Sequence, residues 1–323
     1  MITRRKLLVG FGSSTFLSLP LLAQQGKVFR IGVLESTPIE GNVNFEVFRR
    51  TLHELGYQKS LAFEYRSSYG RNERFTELAA ELVRLKVDLI LTRGTPASQA
   101  AKAATRTIPI VTAAASDPVR TGLAESLARP GGNFTGMEPF AVALWAKRAE
   151  LLKELLPSIT RLGDMNTPTN VTTPLFRKEW DTAARSIGLE TLPLDVRTAD
   201  DFAPAFQAAA KQRVGAIVIG IDGLMTANLR MIVELAAKHR MPTIYMSREF
   251  VDAGGLISYA VDYRHLYARA AIYADKMLKG ARPSDLPIEQ PTKFELVINM
   301  KAAKALGITI PPSVRLRADE VIE

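Results

Sequence analysis

From Val28 onward the chain alternates short, continuously apolar runs with stretches whose apolar residues recur at helical spacing, almost without interruption. Val28 to Leu34 is the first run, and Phe45 to Leu55 is the first helical stretch. Strand patterns at Leu61–Arg66, Val87–Thr92 and Ile108–Ala113 interleave with helical patterns at Phe75–Leu85 and Ala97–Ala104. A strand that is apolar at every position must be buried on both faces. A parallel sheet covered by helices on each side provides that burial, so the pattern predicts an α/β fold. After Gly136 the rhythm restarts. Helices are expected at Ala141–Leu156, Lys178–Ile187, Phe202–Gln212 and Leu229–Arg240, and strands at Arg161–Met165, Glu190–Asp195, Ala216–Gly220, Thr243–Met246 and Gly255–Tyr259. A helix from Tyr263 to Leu278 and a strand plus helix from Phe294 to Leu306 follow, and Pro311-Pro312 is expected to end regular structure. Two successive doubly wound units imply two lobes, with any ligand held outside the carboxyl ends of the strands.

The first 23 residues have the composition of a targeting signal. Arg4, Arg5 and Lys6 precede an apolar stretch from Leu7 to Leu22, and Ala23 offers a small residue for cleavage. Gly10, Gly12 and Pro20 suit a membrane-spanning helix poorly, although an uncleaved anchor is the competing reading. The Arg4-Arg5 pair leaves twin-arginine and general export both open. A periplasmic location is expected. The 323 residues contain no cysteine, which excludes disulfides, thiol catalysis, thiolate metal sites and a lipidated cysteine. The net charge of +9 is spread in ones and twos rather than in arginine stripes interleaved with aromatics, so a nucleic-acid partner is not expected.

Motifs for chemistry are missing. The turn Leu34-Glu35-Ser36-Thr37-Pro38 lacks the glycines of a dinucleotide site. No phosphate loop, His-Glu-x-x-His or Gly-x-Ser-x-Gly stands in the mature part. His53, His239 and His265 all fall within helices. No catalytic residue, metal or cofactor is expected, and the chain reads as one that holds a small molecule. The post-strand turns supply the candidates. Gly94-Thr95-Pro96 opens a helix, with Thr95 as cap, Pro96 preset at the first turn, and the N–H groups of Ala97 and Ser98 free for a carboxylate. Ser116 and Asp117 follow the next strand, with Asp117 read as the cap of an entering helix. Asp222 follows the strongest strand of the second half, where it can meet a ligand ammonium. Arg248 and Tyr259 follow the two strands after that. Ser36 and Thr37, from the first turn, and Met137, where the chain leaves the first lobe, complete the expected ligand contacts.

Five ordered motifs carry a resemblance: Phe48-Arg49-Arg50-Thr51-Leu52-His53-Glu54-Leu55-Gly56-Tyr57, Gly94-Thr95-Pro96-Ala97, Ala128-Arg129-Pro130-Gly131-Gly132-Asn133, Arg248 to Leu256, and Pro291-Thr292-Lys293-Phe294-Glu295-Leu296-Val297-Ile298-Asn299. With them the chain, from about Arg30 to Glu323, resembles the ABC-transporter substrate-binding proteins described as periplasmic components. The resemblance implies a type I periplasmic-binding fold. One lobe would comprise 28–137 plus about 262–285, and the other 138–261 plus about 286–323. It also implies an amino-acid-like ligand, aromatic in some relatives, bound by lobe closure, an inner-membrane ABC permease as partner, and a monomeric protein. A ligand-sensing module reporting to a membrane receptor is the alternative. One departure stands out: Arg161-Leu162-Gly163-Asp164-Met165-Asn166 replaces the family's apolar strand, and Gly163 and Asp164 are poor strand formers.

Overall fold

The continuous apolar runs become the inner strands of two sheets. The computed structural model describes residues 27–139 and 144–323, so the leader and the expected start of a helix at Ala141 lie outside the described residues. In the first lobe β1 (Phe29–Glu35), β2 (Leu61–Ser67), β3 (Leu89–Arg93), β4 (Ile110–Ala114) and β5 (Phe134–Gly136) pair in parallel in the order β2-β1-β3-β4-β5. The helices α1 (Val43–Glu54), α2 (Phe75–Arg84) and α3 (Thr95–Ala104) cover its faces. Asn42 starts α1 by accepting the Phe45 N–H.

The second lobe is built on seven strands. They are β6 (Arg161–Asn166), β7 (Glu190–Asp195), β8 (Ala216–Ile219), β9 (Thr243–Tyr245), β10 (Ile257–Val261), β11 (Phe294–Asn299) and β12 (Glu320–Ile322), in the order β12-β11-β10-β9-β8-β6-β7. All neighbours are parallel except β10 and β11. Packed on this sheet are α4 (Leu144–Leu155), α5 (Thr173–Ser186), α6 (Phe202–Lys211), the short α7 (Gly223–Ala227), α8 (Leu229–Lys238) and the short α9 (Arg248–Asp252). Next in the chain, α10 (Tyr263–Leu278) returns to the first lobe, where Leu266, Tyr267, Ala270 and Ala271 pack with Phe45, Phe48 and Leu52. The chain then ends with α11 (Met300–Leu306) and α12 (Pro312–Arg315).

One expectation changes, and one strand forms despite poor strand residues. Pro311-Pro312 does not end regular structure: Pro312 opens α12, and β12 beyond it adds an edge strand to β11. Gly163 and Asp164 do lie within a strand. Asp164 is buried and paired with Arg177 at 2.9 Å, with Asn166 donating to the same carboxylate. Gly163 admits Leu194, Ile217 and Val214 against its backbone. Tertiary partners override weak strand propensity here.

The segment after α10 stays with the first lobe through Glu289. The Thr135 hydroxyl donates to the Leu286 carbonyl at 2.6 Å, and Ile288 is buried in the first-lobe core. The last crossover therefore falls after Glu289 rather than at about residue 286. Gly136, at the first crossover, has φ +140°, and a Cβ there would lie 2.6 Å from the Thr112 amide nitrogen across the β4–β5 pair. Gly136→Ala should destabilise the protein by roughly 3 kcal/mol, because neither backbone can yield without breaking the pairing. Urea unfolding of the two proteins measures the difference.

Candidate functional site

The carboxyl ends of both sheets face one cleft. It holds two adjoining open chambers, an inner one of about 50 Å³ and an outer one of about 540 Å³. The first-lobe side of the inner chamber is a chain of hydroxyls. Gly94, with φ +90°, is the N-cap residue of α3, and no side chain caps that helix. A Cβ at Gly94 would meet almost nothing, so the glycine is there for its conformation. Thr95 is the first helical residue rather than the cap. Its hydroxyl accepts the Ser116 N–H at 3.1 Å and donates to the Ser116 carbonyl at 3.2 Å, which fastens the β3 and β4 loops together. Beneath it Ser98 and Thr92 share a hydrogen bond of 2.7 Å. The Ser98 N–H is already satisfied by the Gly94 carbonyl, so the unbonded amides of this helix end precede it.

The opposite side presents one carboxylate. Asp222 follows β8 and caps α7, accepting the N–H groups of Leu224 at 2.9 Å and Met225 at 3.1 Å, both on Oδ1. Burial raises its pKa above the usual carboxylate value, against the lowering effect of these bonds. Gly223 beside it lies against Ser36 of the other lobe, whose Cβ would be 2.7 Å from any Cβ at Gly223. Phe75, Pro96, Pro139, Ile221 and Tyr263 give the chamber its apolar surface.

Six of the nine expected contacts line the inner chamber: Ser36, Thr37, Thr95, Pro96, Ser116 and Asp222. The other three lie elsewhere. Arg248 borders the outer chamber and is held by Asp252, Glu295 and Glu320. Met137 is buried in the first-lobe core, bridged to Glu289. Tyr259 packs against Phe294, and its carbonyl accepts from the buried Arg148 at 2.8 Å. Asp117 opens no helix. It sits at φ +46° in a run of turns and accepts the Arg120 N–H.

Arg93 and Tyr263 line the chamber without having been singled out. The available signal was position: Arg93 directly precedes Gly94 at a strand end, and Tyr263 directly follows the Asp262 cap of α10. The Arg93 guanidinium lies 4.7 Å over the Tyr263 ring and 3.4 Å from Glu249. Burial opposes its charge, but Glu249 and the surrounding tyrosines leave its pKa raised. Burial pushes Tyr263 up to about 12. Among the described residues no cluster of His, Cys, Asp or Glu could hold a metal, and no helix is long and apolar enough to cross a membrane.

Comparison with known proteins adds three findings. Residues 42–322 match the family described as ABC transporter substrate binding protein. A tyrosine-binding protein of Clostridioides difficile is 26% identical over 276 residues, covering 85% of this chain and 78% of that one. Two solved structures superpose with a TM-score of 0.83. One, an ABC domain in complex with L-Trp from Streptococcus pneumonia, is 28% identical over 91% of this chain and 99% of its own. The other, a conserved domain protein of Vibrio cholerae, is 27% identical over 91% and 100%. The two-lobed architecture is the type I periplasmic-binding fold.

The raised Asp222 pKa has a pH consequence. The folded state favours the protonated carboxyl, so the stability this group contributes is present at low pH and lost as pH rises through its folded pKa. Asp222→Asn keeps an oxygen for both cap bonds and cannot ionise. Ligand-free, it should melt no lower than wild type at pH 7, and its advantage should vanish below the ordinary carboxylate range. Thermal melts across pH 3 to 8 check the sign.

Proposed function

Because the chain belongs to the ABC transporter substrate-binding protein family, whose members are extracytoplasmic solute-binding proteins and not enzymes, we propose that it is the binding component of an ABC importer for a free, aromatic amino acid. The observation that carries this reading is the polarity of the inner chamber. Amides and hydroxyls at the start of α3 stand on one lobe, and a lone carboxylate, Asp222, stands on the other. An α-amino acid has one group for each. Its carboxylate takes the α3 end with Thr95 and Ser116, where the helix dipole favours an anion. Its ammonium takes the Asp222 oxygen that the α7 cap leaves unused. Phe75, Pro96 and Tyr263 offer apolar surface for a ring. The bound ligands named for relatives, tyrosine and L-Trp, have this shape.

The lobes part to admit the ligand and close around it, and closure is what a membrane permease would read. The leader, with its basic start and Ala23, supports export to the periplasm by the general or twin-arginine route. The protein is expected to act as a monomer with an inner-membrane ABC permease.

Calorimetry on the mature chain tests the ligand class. L-tryptophan or L-tyrosine should bind, whereas tryptamine and indole-3-propionate should each bind at least about 100-fold more weakly than L-tryptophan, since each leaves one buried charged or polar site unmet. Tryptamine binding as tightly as L-tryptophan would remove the carboxylate site from this reading. Thr95→Val, which cuts the tie to Ser116, should weaken binding by about tenfold, as read in the same titration.

A further inference from the structure

The inner and outer chambers share four residues: Thr37, Arg93, Thr226 and Tyr263. The outer chamber is also lined by a polar contact between the lobes. Glu249 stands in the first turn of α9, on the second lobe. One of its carboxylate oxygens, Oε2, lies 3.4 Å from Arg93 at the end of β3; the other, Oε1, accepts from the side-chain amide of Asn44 in the first turn of α1. Ser247 on its own lobe completes the set by donating to Oε2. Burial by itself would raise the pKa of this carboxyl, yet Arg93 and the two neutral donors hold it below the ordinary value, so it is ionised at neutral pH. The Arg93 side chain, 11% exposed, is fixed from behind by the Tyr263 ring.

We propose that Glu249 is an interlobe latch. Its carboxylate, gripped at the outer chamber by Arg93 and Asn44 of the opposite lobe, holds the lobes in their closed arrangement. Parting the lobes separates both oxygens of Glu249 from their first-lobe partners at once. Arg93 and Glu249 are thus positioning residues, acting on the ligand through the distance between the lobes. The inference rests on two lobes that can part and is independent of which ligand they hold.

The chain's lack of cysteine makes the test direct, since two labels can be added with no background thiol. Thr76→Cys on α2 and Lys211→Cys on α6 place spin labels on exposed positions, one per lobe. Distances are measured by pulsed electron resonance on protein unfolded and refolded to strip any ligand. The otherwise wild-type protein should show mainly the short distance. In Glu249→Gln the closed-to-open ratio should fall by about tenfold or more, and in Asn44→Ala it should fall by less. The Arg93→Gln/Glu249→Gln double variant should open no further than the single variants, because both act through one contact. A distance distribution unchanged in Glu249→Gln would overturn the latch. So would shifts from Arg93→Gln and Glu249→Gln that simply add. Failure of L-tryptophan and L-tyrosine to bind would revise the ligand class and leave these distances as decisive as before.

Discussion

The carboxylate of Glu35, at the end of β1, organises the first lobe's half of the cleft. It is fully buried and meets four uncharged donors: Tyr267 at 2.6 Å, Asn42 at 2.7 Å, Tyr65 at 3.2 Å and Thr37 at 3.3 Å. A carboxylate removed from water is tolerated only when its oxygens are hydrogen-bonded, so each of these side chains has little freedom. Through Thr37 and Asn42 the loop after β1 is pinned, and Ser36 and Thr37 are held facing the chamber. The Asn42 side chain also caps α1, which places Asn44 opposite Glu249. Tyr267 lies on α10, so the helix that returns from the second lobe is secured to the first strand by this one group.

The two lobes hold together in different ways from within and between. Each has an extensive apolar core, such as the Trp145, Phe176 and Trp180 cluster under the second sheet, with ring centroids 5.6 and 5.8 Å apart. Across the cleft the contacts include the polar ties of Glu249 with Arg93 and Asn44 and of Arg264 with Asp252, and the close approach of Ser36 and Gly70 to α7. Apolar burial scales with area, whereas each polar contact contributes little beyond what water would supply. The lobe interiors are therefore held more firmly than these individual ties hold the cleft.

Much of this was legible in sequence. Continuous apolar runs specify strands buried on both faces, and their alternation with helical patterns specifies parallel sheets. Those inferences depend only on local periodicity, so they place the post-strand turns, and with them Ser36, Thr37, Thr95, Pro96, Ser116 and Asp222, around one chamber. Local pattern is less secure where a residue's fate depends on a distant partner. Asp164 is a poor strand former that Arg177, 2.9 Å away, secures in β6, and Arg248 reads as a cleft residue until Asp252, Glu295 and Glu320 hold it at the rim.

Fold class, the order of the elements and the turns from which a site is built follow from local pattern, because backbone periodicity and turn chemistry are properties of neighbouring residues. Which side of each turn faces the chamber depends instead on contacts between distant segments. Thr95 turned from its own helix to Ser116, Arg93 met Glu249 across 156 positions, and Glu35 met Tyr267 across 232. Such pairings are fixed by the need to satisfy buried polar groups wherever the chain happens to bring a partner, and no local pattern records where that will be.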